Sequence, residues 1–294
     1  MIAPAAADAA RWRIYLRLGR VSNLPTVWTN VIAGIVLAGA TADAQTVLAL
    51  GTALSLFYVG GMFLNDAFDR EIDARERPER PIPSGLVGAA EVFAAGAALL
   101  IGGIGVVALA AGGRSVAIAA ACTLALTIVV YDAWHKENPL SPVLMGLCRV
   151  LVYLTAGLAA ATRITAALCG GALVMLAYLI GLTYVAKQEN LSAPRNLWPV
   201  SLLAVPLIYA LPVAFADGVA ALVWLALAVA IAAAVRLLRG GAPRRIPRAV
   251  ALMIAGISLL DALLIARAGA SSTAVLALVG FPSTLALQRY VSGT

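Results

Sequence analysis

Histidine is almost missing from this chain: 294 residues hold one, His135, alongside three cysteines, Cys122, Cys148 and Cys169. The cysteines fall inside apolar runs without metal-ligand spacing, which argues against a disulfide scaffold and a Cys/His metal site and leaves them as small buried hydrophobes. A lone loop histidine is expected at the surface rather than as a base, and no Ser-His or Cys-His arrangement is called for. Charge is scarce too: Asp, Glu, Lys and Arg make up 12% of the residues against 62% hydrophobic, with a mean hydropathy of +0.95. Those figures exclude an ordinary soluble domain. No low-complexity linker breaks the chain, so residues 1–294 read as a single polytopic domain.

What is present is apolar sequence in long runs. Runs at 22–40, 46–64, 88–111, 115–131, 141–161, 166–186, 198–214, 218–238 and 248–268 are each long enough to cross the roughly 30 Å hydrocarbon layer as a helix. The fold class expected is therefore an all-α membrane protein, a bundle of nine transmembrane helices. A tenth run, 271–288, contains Gly280 and Pro282 and is left open as a final span, a half-span or an interfacial helix. Arg11, Arg13, Arg17 and Arg20 precede the first run without a signal-peptide core or cleavage site directly after them, so that run is expected to remain in the protein.

A formal net charge of +7 raises the question of nucleic acid, but the cations sort by loop. With the amino terminus on the cytoplasmic side, seventeen of the 21 cations fall on that side and three (Arg114, Arg163 and Arg267) on the other, Arg289 staying unassigned. Short loops with such a bias obey the positive-inside rule, so the basicity reports topology and no nucleic-acid partner is expected. Links on the far side, such as TADAQ (41–45) and RIT (163–165), are too short to build a site. The polar chemistry is on the cytoplasmic face.

There, NDAFDREIDARERPERPIPSG (65–85) concentrates six acids and four arginines. Asn65, Asp66, Asp69 and Asp73 fall within roughly a 100° arc of a helix. Carboxylates that close repel one another unless cations sit among them, and hard oxygen ligands suit Mg²⁺, which completes its shell with water and substrate phosphate. Arg77 and Arg80 follow within reach, and guanidinium groups are well shaped to grip phosphate. Three prolines and Gly85 then end regular helix. Acids for a metal beside arginines for phosphate point to a diphosphate.

NDxxDxxxD followed by RPxRPxPSG resembles the first aspartate-rich motif of the UbiA-type intramembrane prenyltransferases. The resemblance implies nine helices around a lateral, membrane-open cavity in which Mg²⁺ on two acidic motifs holds an isoprenyl diphosphate. It makes Asn65, Asp66, Asp69 and Asp73 metal and diphosphate ligands, with Arg77 and Arg80 near the phosphates. The family's second acidic motif belongs in LTYVAKQENLSAPRN (182–196), where Glu189 is the sole acid. Either Glu189 supports a second metal with fewer anionic ligands, or Lys187 replaces part of that metal's charge by touching the phosphate directly; Glu189 is carried as a catalytic metal ligand and Lys187 as substrate-binding.

YDAWHKENPLSP (131–142) offers Asp132, His135 and Lys136, and the family's basic residue in this link makes Lys136 the choice to close over the diphosphate. Arg149, two turns into the fifth run, needs an anionic or polar partner and is expected to face the cavity as a catalytic group. Asp261, equally deep, is expected to be a structural hydrogen-bonding group. Asn23, Trp28, Asn30, Tyr131, Tyr178 and Tyr184 are candidate lining residues; Asn30 is carried as substrate-binding and Tyr184, one turn before Glu189, as catalytic.

The activity expected is Mg²⁺-dependent transfer of an isoprenyl group from an isoprenyl diphosphate donor to a small acceptor within the bilayer. An intramembrane terpene cyclase, a phosphoribosyl-type transferase acting on a lipid phosphate, and a transporter are the alternatives. The integral membrane protein is expected in the cell's inner membrane with its site loops cytoplasmic. Topology is directly testable. In a cysteine-free background, Arg75→Cys, Ser192→Cys and Ala242→Cys should react with an impermeant maleimide from one side of the membrane, and Asp43→Cys from the other. Labelling of positions 75 and 192 from opposite sides would show that the two links cannot share a site.

Overall fold

The structure is a computed structural model that describes residues 4–41, 43–136, 138–188, 198–239 and 245–293. Its helices are α1 (Pro4–Leu18), α2 (Leu24–Leu37), α3 (Ala44–Phe68), α4 (Arg70–Glu76), α5 (Ala89–Ala110), α6 (Ser115–Trp134), α7 (Ser141–Ala160), α8 (Ala166–Ala186), α9 (Val205–Ala214), α10 (Gly218–Arg239), α11 (Arg245–Arg267), α12 (Ser271–Leu278) and α13 (Gly280–Leu287). Short 3₁₀ turns, Val21–Asn23 and Trp198–Ala204, lead into α2 and α9. No strand occurs among the described residues.

Seven helices are long and apolar enough to cross a membrane: α3, α5, α6, α7, α8, α10 and the Ile246–Arg267 part of α11. The expected runs 22–40 and 198–214 are helical but shorter, because a turn at Arg20 delays α2, and 3₁₀ geometry takes up the first part of the second. The open tenth run forms two short helices that meet at Val279–Gly280. The outer surface is apolar: Leu109, Phe215, Ile101 and Leu222 are 70–86% exposed, as expected for side chains facing hydrocarbon rather than water. Cys122 and Cys169 are on that exterior, which corrects the expectation that they are buried; Cys148 is half-buried.

Two apolar cores divide the bundle. One gathers α8, α10 and α11, the other α3, α5 and α6, and α2 and α7 contribute to both. α11 is the enclosed helix, with 83% of its apolar window buried, whereas α6 turns most of its surface outward at 22%. Hydrocarbon gives no hydrophobic drive to helix association, so contact depends on close backbone approach at small residues. A Cβ on Gly34 would stand 2.7 Å from the Tyr153 carbonyl, and one on Gly157 3.0 Å from the Gly34 carbonyl, so α2 and α7 cross backbone to backbone. Gly60 and Gly96 do the same for α3 and α5. α1 is tied to the start of α5, where Arg11 Nη2 donates to Glu91 Oε1 at 2.8 Å and the Tyr15 hydroxyl shares the same oxygen.

The α3–α5 crossing yields a prediction. A Cβ on Gly96 would lie 2.9 Å from Leu64 Cγ and 3.0 Å from the Gly60 carbonyl oxygen. Gly96→Val should therefore cost about 1–3 kcal/mol of stability, the usual range for overpacking. Gly105→Ala on the same helix meets open space and should be neutral. Thermal unfolding in detergent reads both, and equal melting temperatures would show that the crossing tolerates separation.

Candidate active site

Where α3 passes into α4, backbone hydrogen bonds continue from Asp69 N to the Asn65 carbonyl (2.9 Å) and from Asp73 N to the Asp69 carbonyl (2.8 Å). The turn at Asp69 is thus slight, and Asn65, Asp69 and Asp73 stay on one face. They line one end of a cavity of about 480 Å³, together with Arg20, Glu76, Arg77, Arg80, Asp132, His135, Lys136 and Lys187. Apolar side chains of both cores, among them Leu54, Phe57, Leu124, Ile128, Leu179 and Leu182, line the rest. The cavity is therefore polar at one end and oily along its length.

The acids are buried and matched. Asp73, 3% exposed, accepts from Arg80 Nη1 at 2.7 Å. Asp66 stands behind the wall, with Arg80 Nη1 and Arg20 Nη2 each 3.4 Å from its Oδ1. Asp69 Oδ2 is 3.4 Å from His135 Nε2 and 3.2 Å from Lys136 Nζ. Burial pushes the Asp69 pKa up, but the hydrogen bond and charge contributed by His135, with Lys136 beside it, outweigh that and hold the carboxyl below its ordinary value. Asn65 Nδ2 donates to Asp132 Oδ1 at 3.2 Å. Arg77 closes the end of α4 and faces the cavity.

Two of these residues were misjudged or missed in the sequence. Arg20, counted as a topology cation, takes a left-handed backbone conformation (φ 43°, ψ 45°) that costs a non-glycine residue roughly 1–2 kcal/mol. Its place at the very start of the first apolar run was the available signal. His135 is not a surface residue: it stacks on Tyr131 with ring centroids 5.0 Å apart and reaches Asp69. Its position four residues after Tyr131, at the end of α6, was the clue.

Lys187 caps α8 and faces the cavity, its Nζ donating to the Asn138 carbonyl and to Ser141 Oγ, each at 2.8 Å. Partial burial lowers its pKa from the ordinary lysine value. Glu189 lies outside the described residues.

Deeper in the cavity wall, Arg149 Nη1 donates to Asn30 Oδ1 at 2.6 Å, and its guanidinium stands 5.6 Å from the centre of the Tyr58 ring. Asn30 Nδ2 in turn donates to Asp261 at 2.7 Å, where Thr29 and Tyr153 hydroxyls also donate. Asn30 is wholly buried and off the wall, so its expected contact with substrate is corrected: it orients Arg149 from behind. Tyr184 is corrected as well, because the α8 side chains on the wall are Leu179, Leu182, Thr183, Ala186 and Lys187. Helical phase turns Tyr184 aside. Asn23 and Tyr131 do line the cavity, whereas Trp28 packs on Gly51 and the Tyr178 hydroxyl donates to the Met253 carbonyl. Gly293 reaches the same wall, its carbonyl accepting from Asn23 Nδ2 at 2.9 Å.

The donor set at the polar end is made of carboxylate and amide oxygens. Among the described residues no three acids, histidines or cysteines close around one point. Carboxylate and amide oxygens are hard donors, the kind that Mg²⁺ takes.

Comparison with known proteins places this geometry. The model of the UbiA prenyltransferase family matches residues 26–291. A digeranylgeranylglyceryl phosphate synthase of Methanopyrus kandleri is 44% identical over 86 residues, 29% of this chain and 31% of the relative. A protein of the same name from Methanoculleus marisnigri is 31% identical over 125 residues, 42% of this chain and 43% of the relative. Chloroplastic chlorophyll synthase of Arabidopsis thaliana is 30% identical over 111 residues, 35% of this chain and 28% of the relative. The chain thus matches less than half the length of these relatives. The fold is shared with the apo structure of a UbiA homolog from Aeropyrum pernix K1, at a TM-score of 0.65 and 16% identity over 84% of this chain and 97% of that one.

The Asp261 network generates its own test. Asp261→Ala would leave the Asn30 amide and the Tyr153 hydroxyl without an acceptor, Thr29 with only the Thr26 carbonyl and Ser258 Oγ, and Arg149 without its distant counter-charge, so a loss of roughly 3–5 kcal/mol is expected, as for one member of a buried pair. Unfolding of the variant in detergent micelles measures it, and a loss under about 1 kcal/mol, the worth of one ordinary hydrogen bond, would show that the carboxylate is not what holds the three helices together.

Proposed function

Because the chain belongs to the UbiA prenyltransferase family, we propose that it transfers an isoprenyl group from an isoprenyl diphosphate to a small acceptor inside the membrane. The observation that carries this reading is the cavity itself: acids and cations crowd one end, and an apolar channel runs on from them between two cores. A diphosphate carrying a long hydrocarbon tail is the ligand class that needs both. On this reading the whole chain is one domain in the cell's inner membrane, α2 and the 198–214 segment also cross to make nine spans, the cavity opens sideways to lipid, and the polar end faces the cytoplasm.

Arg77, Arg80, Lys136 and Lys187 bind the diphosphate, as point charges or bidentate forks. Asn65, Asp66, Asp69, Asp73 and, from the following link, Glu189 hold Mg²⁺. When bound, Mg²⁺ would offset the charge that develops on the leaving diphosphate. The cations then stabilise that charge as the allylic C–O bond ionises. Leu54, Phe57 and Ile128 keep the tail in register and exclude water that would otherwise capture the cation. Tyr131 and Tyr58 line the cavity, and an aromatic ring near a carbocation stabilises it by about 0.5–2 kcal/mol. Arg149, held by Asn30 over Tyr58, positions the acceptor. The acceptor's nucleophilic carbon or oxygen forms the new bond to the allylic carbon and loses its proton, and diphosphate departs.

Purified protein incubated with Mg²⁺, prenyl diphosphates of several lengths and a lipid extract as acceptor pool should give a prenylated product by mass spectrometry, with one diphosphate released per product. Diphosphate release with a cyclised hydrocarbon instead would favour a terpene cyclase. Asp69→Ala and Asp73→Ala should each lower turnover by more than tenfold, about 1.4 kcal/mol of transition-state stabilisation, when assayed well below each variant's own melting temperature. Retention of near-normal turnover in either variant would remove these carboxylates from the machinery.

A further inference from the structure

Asp132 is a buried acid that this reading leaves without a task. It is 3% exposed and lines the cavity, yet it differs from its neighbours in how its charge is met. Asp66 has Arg20 and Arg80, Asp69 has His135 and Lys136, and Asp73 has Arg80. No cation among the described residues comes within ion-pair distance of Asp132. One of its carboxylate oxygens accepts from Asn65 Nδ2 at 3.2 Å, while the other, Oδ2, is shielded from solvent and has no hydrogen-bond partner. A buried carboxylate oxygen left unpaired is costly, and the cost falls when a cation arrives beside it.

We infer that Asp132 is a ligand of a divalent cation, acting with Asn65 at the wall where α6 faces α3 and supplying the anionic oxygen that the 182–196 link, with Glu189 as its sole acid, has in short supply. The inference rests on the diphosphate reading above. It draws on α6 rather than on the following link, so the anionic oxygens come from two neighbouring helices. Two protein oxygens leave several coordination positions for water and phosphate, the pattern Mg²⁺ adopts with phosphorylated substrates.

The test is a thermal-unfolding titration of the full chain in detergent, with MgCl₂ varied at fixed inorganic pyrophosphate. In the wild-type protein the two together should raise the melting temperature. In Asp132→Asn the metal-free melting temperature should not fall, because an amide of the same shape replaces a carboxyl group whose Oδ2 has no hydrogen-bond partner among the described residues. The Mg²⁺ concentration for half-maximal stabilisation should rise at least about tenfold, the lower end of what losing even an outer-shell partner costs a metal site. Asp132→Glu, which keeps a carboxylate, should recover part of that loss. A titration of Asp132→Asn that superimposes on the wild type overturns the inference while leaving the diphosphate reading intact. A lowered metal-free melting temperature in Asp132→Asn overturns it too, by making the carboxylate a structural anion. Absence of any response in the wild type overturns the diphosphate reading and the inference with it.

Discussion

Acids buried at one end of an apolar bundle set the terms for everything around them. Asp66, Asp69 and Asp73 are each less than a tenth exposed, and three carboxylates in so small a volume are tolerable only if cations from other parts of the chain come to them. Those cations arrive from three directions. Arg20 comes from the turn before α2, Arg80 from the loop after α4, and His135 with Lys136 from the end of α6. Charge balance therefore fixes segments that packing alone would leave loose, and it accounts for the left-handed backbone at Arg20, whose strain is repaid by a guanidinium delivered to Asp66. On the proposed reading the same pairs would be exchanged by an incoming diphosphate and its metal, acids turning from arginine to metal and arginines from acid to phosphate.

A second polar centre obeys the same rule further into the bundle. Asp261 is fully buried, and Thr29, Asn30 and Tyr153 donate to it from α2 and α7. Because a carboxylate only accepts, it forces the Asn30 amide to turn its nitrogen inward and its oxygen toward Arg149. Arg149 is thereby held at the cavity wall by a charge it does not touch. One chain of hydrogen bonds joins the close α2–α7 crossing at Gly34 and Gly157 to a cation aimed into the cavity. Packing and chemistry meet in the same three helices.

The share of this that could be read from the sequence follows physical range. Asn65, Asp69 and Asp73 were legible because helical period is a local property, and their common face survives the slight turn at Asp69. Hydrophobic runs located the long helices for the same reason, while the broken ones, where Trp198–Ala204 winds as 3₁₀ and α12 gives way to α13, blurred the count of spans. What failed was phase on helices that carry no charge pattern. Asn30 and Tyr184 have the chemistry of lining residues, and nothing in a run of leucines and alanines says which way they point. Arg20 and His135 failed for the opposite reason: their partners lie 46 and 66 positions away, so only the folded chain shows that a topology cation and a loop histidine belong to one acid cluster.

At the end of α8 a lysine, not an acid, stands on the cavity wall. Lys187 uses two of its three N–H donors on the Asn138 carbonyl and Ser141 Oγ, which ties the end of α8 to the segment that opens α7. One donor remains for a ligand in the cavity. A carboxylate at this position would repel the phosphate and could accept from the Ser141 hydroxyl but not pair with the Asn138 carbonyl. On the proposed reading Glu189 is the one anionic donor this link offers a metal, and the acids that the fold brings to the wall, Asp69, Asp73, Glu76 and Asp132, lie at the α3–α4 turn, on α4 and on α6. The polar end is thus asymmetric, with carboxylate and amide oxygens gathered on the side of α3, α4 and α6 and cations extending from Arg77 and Arg80 round to Lys187, an arrangement that on the proposed reading a diphosphate and its metal would bridge.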